Sequence, residues 1–97
     1  MNINEELKKL SDIEGAILLD VRMPNEYAGG HIPGSRNLPL SDIVKAAEYL
    51  PDKRAPIFTY CQSGMRSSRA ATVLQKLGYT NVTNIGGISN YTGAIEK

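Results

Sequence analysis

The chain's only cysteine, Cys61, stands in the stretch YCQSGMRSSRAA, Tyr60–Ala71. Gln62, Ser63, Gly64 and Met65 separate it from Arg66, a Cys-x4-Arg spacing. A free cysteine is among the most buried residue types and is usually inert. Three features point to chemistry instead. Cys61 follows the apolar run Ile57–Tyr60 and precedes a helical pattern, so loop N–H groups and the positive end of a helix can face it. The loop holds a flexible glycine, two neutral polar side chains and no acid. Arg66 adds a permanent cation with a rigid fork of donors.

Magnitudes indicate which device could activate the thiol. A free thiol titrates near 8.5, so only about 3% is thiolate at pH 7, and lowering it by about two units takes roughly 2.7 kcal/mol. A helix terminus supplies about 0.3–1 kcal/mol. Each hydrogen bond to a charged group supplies about 1.5–3 kcal/mol. A ring of loop amides, assisted by Arg66, is therefore the expected device. A thiolate held in this way attacks a sulfane sulfur, a phosphate or an arsenate without a separate general base. The one histidine, His31, lies far away in a Gly/Pro loop.

Charge is unevenly distributed. Residues 1–52 carry nine acids and five bases, net −4, whereas residues 53–97 carry six bases and one acid, Glu96, net +5. No Asp or Glu lies between Lys53 and Ile95. Such a setting favours a thiolate and an anionic ligand. The bases are too scattered for a nucleic-acid footprint, and no apolar run approaches a membrane span. One cysteine and one histidine argue against a dedicated zinc site, and no cofactor is called for. The N-terminus lacks the apolar stretch of a signal peptide, and the chain reads as cytoplasmic.

The 97 residues are expected to form one domain, 1–97. Residues 4–10 read as a short amphipathic helix. Ala16–Val21 reads as a buried parallel strand. Pro24 can open a helical turn reaching Tyr27. Gly29–Pro39 must be loop, with a short strand at Asn37–Leu38. Ser41 is the expected N-cap of a helix reaching Leu50, with Ile43, Ala46, Ala47 and Leu50 on its apolar face, and Pro51 stops it. Ile57–Tyr60 is a second buried strand. Ala70, Val73, Leu74 and Leu77 form the stripe of the next helix, and Gly78 is its C-cap. Val82–Ile85 is a further strand closed by Gly86 and Gly87, and one helical turn is expected in the tail. Alternating strands and helices predict an α/β fold, a parallel sheet with helices on both faces. Ligands of such sheets bind at the carboxyl ends of the strands.

The sequence resembles the single-domain rhodanese family of sulfurtransferases across nearly its whole length. The resemblance rests on LLDVRMPNEYAGGHIPGSRNLP (Leu18–Pro39), YCQSGMRSSRAA, and LGYTNVTNIGGI (Leu77–Ile88). It implies a rhodanese-like parallel sheet and a ping-pong cycle. A small anionic donor such as thiosulfate would pass its outer sulfur to Cys61. A thiol, cyanide or a protein acceptor would then remove it. By this resemblance Cys61 is the persulfide carrier and Gln62, Ser63, Gly64, Met65 and Arg66 bind substrate. Asp20 and Arg22 would pair to fix a strand end, His31 would bond backbone within its loop, and Tyr27 would be core. The chain departs from the family in having no tryptophan after Gly86-Gly87, where Tyr91 is the candidate to fill the space, and in its short tail. Two alternatives stay open. Phosphatases and arsenate reductases of related fold carry Cys-x5-Arg, a wider cradle than this one. A non-catalytic binding module would leave Cys61 an ordinary thiol.

Overall fold

The computed structural model describes residues 2–97. Helix α1 (Ile3–Leu10) is capped by Asn2, whose side chain accepts from the Asn4 N–H at 2.9 Å. Acids stand in its first turn and lysines in its last, which complements the helix dipole. Strand β1 (Ile17–Asp20), helix α2 (Pro24–Gly29) and the two-residue strand β2 (Arg36–Asn37) follow. A 3-10 helix, Leu40–Lys45, runs into α3 (Ala46–Tyr49), and then come β3 (Ile57–Cys61), α4 (Met65–Lys76), β4 (Val82–Gly87) and a 3-10 turn, Ile88–Asn90.

The strands form one parallel sheet in the order β2-β1-β3-β4. Side chains alternate across it. Leu19, Ile57 and Cys61 meet Ile43, Ala46, Leu50, Ala70 and Leu74 on one face, under α3 and α4. Leu18, Phe58 and Tyr60 meet Ile3, Ile32 and Ile85 on the other, under α1. Strands covered on both faces need continuous apolar runs, which is why β1 and β3 are legible in the sequence. Tyr91 is half-buried against the α1 face. No helix among the described residues is long and apolar enough to cross a membrane.

The region after β2 departs from expectation. The short strand is Arg36–Asn37, one residue earlier than predicted. Ser41 caps nothing, and there is no single helix to Leu50. The Leu40 N–H donates to the Val21 carbonyl at 3.0 Å, which pins the chain to the sheet before Ser41. The Asp42 N–H then closes a tight turn onto the Pro39 carbonyl. In this geometry Ile43, Ala46 and Leu50 turn inward and Ala47 faces out. Helix α4 ends as its glycine predicts. Gly78 is left-handed (φ 101°), the Gly78 N–H donates to Gln75, and the Tyr79 N–H donates to Leu74.

Strand order creates the crevice. The chain leaves β1 toward β2 on one side and leaves β3 toward β4 on the other, so the segments following β1 and β3 diverge at their carboxyl ends. The β1 side is fixed by a buried ion pair. Arg22 Nη2 donates to Asp20 Oδ2 at 2.8 Å and to the Gly30 carbonyl at 2.7 Å, and the Arg22 N–H donates to Asp20 Oδ1. The adjoining loop is held by His31, whose Nδ1 lies 2.9 Å from the Tyr27 carbonyl and whose ring stacks on Tyr27. Its backbone pairs antiparallel with Glu96. Among the described residues no buried side-chain N or O atom lacks a partner. Asp20→Ala would leave the buried Arg22 guanidinium without its carboxylate. It is expected to lower unfolding free energy by about 3–5 kcal/mol in urea titrations.

Candidate active site

Cys61 is the last residue of β3, with no measurable exposure. The chain then turns through Gln62–Gly64 and enters α4 at Met65. Gly64 makes the turn possible. Its φ of +100° favours a residue without a Cβ. No side chain caps α4. The Cys61 sulfur takes that place, accepting the Gly64 N–H at 3.0 Å. Small residues on the buried side of α4, Ser67, Ala70 and Ala71, let the helix approach β3 and β4 closely.

Opposing influences act on the thiol. Burial is the largest and disfavours the thiolate. The Ser67 hydroxyl and the backbone N–H groups of Ser67, Gly64 and Ser63 act the other way and together hold the thiol below its ordinary pKa. Ser67 is the residue the sequence reading missed. It lies within the expected helix and looks like one more polar position. Its single hydroxyl proton has several acceptors in reach: Asn84 Oδ1 at 2.7 Å, the Gly64 carbonyl at 3.1 Å, the Gly86 carbonyl at 3.4 Å and Cys61 Sγ at 3.5 Å. Hydrogen bonds to an anion are the stronger kind, so ionisation of Cys61 draws this proton toward the sulfur.

The loop rests on the end of β4. Pairing shifts there from Thr59↔Asn84 to Tyr60↔Gly86, which leaves Ile85 as a bulge with Gly86 left-handed at φ +106°. Asn84 is thereby turned toward the loop, its Nδ2 donating to the Gly64 carbonyl at 3.3 Å and its Oδ1 accepting the Gly86 N–H at 3.1 Å. Gly87 is the seat. A Cβ there would stand 2.4 Å from the Gln62 carbonyl oxygen and 2.7 Å from Ser63 Cα. The glycine pair that reads as a strand terminator is thus the platform on which the cysteine loop lies.

The predicted site residues fare differently. Ser63 and Gly64 present N–H groups that favour the thiolate. Gln62 supports the loop, its carbonyl accepting from the Ser89 N–H at 3.2 Å. The Met65 side chain is exposed, 73% of its surface. Arg66 is paired with a carboxylate. Its Nη1 and Nη2 donate to the two oxygens of Glu26 at 2.7 and 2.9 Å. The acid-free neighbourhood expected from the sequence is therefore corrected. Helix α2 brings a carboxylate across the crevice from 40 positions away. A depression of about 560 Å³ beside the loop is lined by Ser63, Gly64, Met65, Asn84 and Gly86, among others. An equal volume on the α1 face contains none of these groups.

Residues 4–94 match the rhodanese-like domain. The chain belongs to the rhodanese-like domain family. It is 47% identical over 83 residues to the uncharacterized protein YqhL of Bacillus subtilis, a match covering 84% of this chain and 64% of that one. The chain thus spans under two thirds of that relative. It is 37% identical over 73 residues to thiosulfate sulfurtransferase PspE of Escherichia coli, covering 74% of this chain and 70% of that one. Among solved structures it is similar to rhodanese with anions from E. coli, with a TM-score of 0.78, 34% identity and coverage of 84% and 98%. It is also similar to the human single-domain sulfurtransferase TSTD1, with a TM-score of 0.79, 31% identity and coverage of 90% and 89%. The rhodanese-like fold expected from the sequence, a parallel sheet between helices, is the one observed.

Two outcomes follow for this rhodanese-like domain. The rate of Cys61 alkylation by iodoacetamide is expected to rise with pH through a midpoint below that of free cysteine, and Ser67→Ala is expected to move the midpoint up. Gly87→Ala, which forces the loop off its seat, is expected to cost about 1–3 kcal/mol in stability and to return the alkylation profile toward that of a free thiol.

Proposed function

We propose that this chain is a sulfurtransferase that carries a sulfane sulfur on Cys61, acting as one rhodanese-like domain over residues 1–97. One observation carries the reading. The Cys61 sulfur lies where strand β3 ends and accepts the Gly64 N–H at 3.0 Å, in surroundings that favour its anion. Membership of the rhodanese-like family supports it, and so does the similarity to thiosulfate sulfurtransferase PspE.

The chemistry requires little beyond this arrangement. The Cys61 thiolate attacks the outer sulfur of a donor such as thiosulfate. The new bond is Sγ–S, the donor's S–S bond breaks, and sulfite leaves with the electron pair. Charge is conserved, and the outer persulfide sulfur carries it. The donors that favour the thiolate, the Ser63 and Gly64 N–H groups and the Ser67 hydroxyl, are the ones positioned to favour a persulfide anion built from it. An acceptor such as cyanide or a thiolate then attacks the outer sulfur, and the Cys61 thiolate is the leaving group. No proton transfer to Cys61 is needed, so no general base is required. The Cys-x4-Arg spacing gives a loop one residue shorter than that of phosphatases, which suits a single sulfur better than a tetrahedral oxyanion.

Incubation with excess thiosulfate to completion is expected to add the mass of one sulfur atom to the intact protein. Cyanide should remove it as thiocyanate, and Cys61→Ser should show neither event. Absence of the adduct with every sulfane donor tried, or aryl phosphate hydrolysis that is lost in Cys61→Ser, would overturn the reading.

A further inference from the structure

Charged groups of alternating sign run from the end of β1 to the helix that follows the cysteine loop. Arg66, in the first turn of the helix that follows the Cys61 loop, is forked onto Glu26, Glu26 also feels Arg22, and Arg22 is bound to Asp20. The inner pair, Asp20 and Arg22, is buried and balanced. The outer set with Cys61 ionised is thiolate, guanidinium and carboxylate, a net charge of −1. Arg66 is the one cation of this set, and each of its terminal nitrogens donates to Glu26; Arg69, a second cation, lines the depression beside the loop and is the same in wild type and in a Glu26 variant. That carboxylate is well anchored. Its Oε1 also accepts the Met23 N–H at 2.9 Å, at the first turn of α2. Hydrogen bonding from Arg66, opposed by partial burial, holds its pKa at about 2, so it stays ionised at any working pH.

We propose that Glu26 is a specificity-determining residue: by occupying Arg66 it favours a sulfane donor carrying one negative charge over thiosulfate, which carries two. The inference rests on the sulfurtransferase reading above. The loop N–H groups act at the Cys61 sulfur, to which both kinds of donor deliver the same atom, so they do not discriminate. On this proposal the remainder of the donor lies toward Arg66, where the second charge of thiosulfate encounters a guanidinium already paired with a carboxylate. Organic thiosulfonates and small-thiol persulfides are the monoanionic class. With methanethiosulfonate, the Cys61 thiolate forms the Sγ–S bond, the donor's S–S bond breaks, and methanesulfinate leaves with the electron pair. With a small-thiol persulfide, the departing group is the thiolate. Charge is conserved in both cases, and no further reactant is needed.

The test compares initial rates of persulfide formation from thiosulfate, methanethiosulfonate and cysteine persulfide, in wild type and in Glu26→Gln. The glutamine keeps an oxygen for the Met23 N–H and removes the charge. The ratio of kcat/KM for thiosulfate to that for each monoanion is expected to rise about tenfold, a factor between the bulk-water and near-surface strengths of one unit charge at contact range. It should rise equally for both monoanions. In wild type alone, which needs no variant to fold, raising ionic strength should increase the same ratio, because screening relieves a repulsion that the dianion feels more strongly. An unchanged ratio, a ratio that moves with only one monoanion, or a wild-type ratio that falls with salt overturns the proposal. If no donor of any charge yields a Cys61 adduct, the sulfurtransferase reading itself has failed. An adduct formed with unaltered discrimination removes only the role of Glu26.

Discussion

A buried sulfur can carry charge only if its surroundings replace the water it has lost. Cys61 has no measurable exposure, and burial alone would keep it a neutral thiol. The Gly64 N–H at 3.0 Å, with the neighbouring N–H groups and the Ser67 hydroxyl, reverses that outcome. Several features elsewhere in the chain serve this one requirement. Gly64 adopts the left-handed turn that aims its N–H inward. Ser67, Ala70 and Ala71 let α4 lie close enough for its first turn to reach the sulfur. The bulge at Ile85 turns Asn84 toward the loop, and Gly87 removes the Cβ that would lift the loop away. The site is thus a backbone device, with side chains chosen mainly for being small enough.

The second organising fact is the strand order. Because β1 and β3 are neighbours whose following segments diverge, α2 and the cysteine loop face each other across the carboxyl edge. The buried Asp20–Arg22 pair fixes one bank and the bulge on β4 fixes the other. The forked Glu26–Arg66 contact bridges them. About a third of each side chain remains exposed, 37% for Arg66 and 29% for Glu26, so the bridge is open to solvent screening. It bears on the field at the mouth of the site more than on the stability of the fold.

Much of this was legible in the sequence, for physical reasons. β1 and β3 are buried on both faces and must read as apolar runs. The stripe of α4 and the glycine that ends it follow from helix periodicity and from the left-handed conformation of Gly78. The position of Cys61 between strand and helix identified the loop. What stayed hidden was whatever depended on distance along the chain. Glu26 reaches Arg66 from a different crossover, a carboxylate that the acid-free local sequence does not show. Ser67 was obscured by its own helix, and the seat at Gly87 by its place at a strand end. Ser41 failed as a cap because the Leu40 N–H is already bonded to the sheet, a tertiary contact overriding a local preference.

The seat at Gly87 also ties the cysteine loop to the long-range assembly of the sheet. β4 is the last strand in the chain and pairs only with β3, and every pairing in this parallel sheet joins segments separated by a crossover. Such non-local pairings carry a loop-closure cost that local contacts do not. Without β4 the turn from Gln62 to Gly64 would lack the glycine on which it lies. The thiolate's setting and the completed sheet are therefore inseparable: the seat that shapes the loop exists only where β4 pairs with β3.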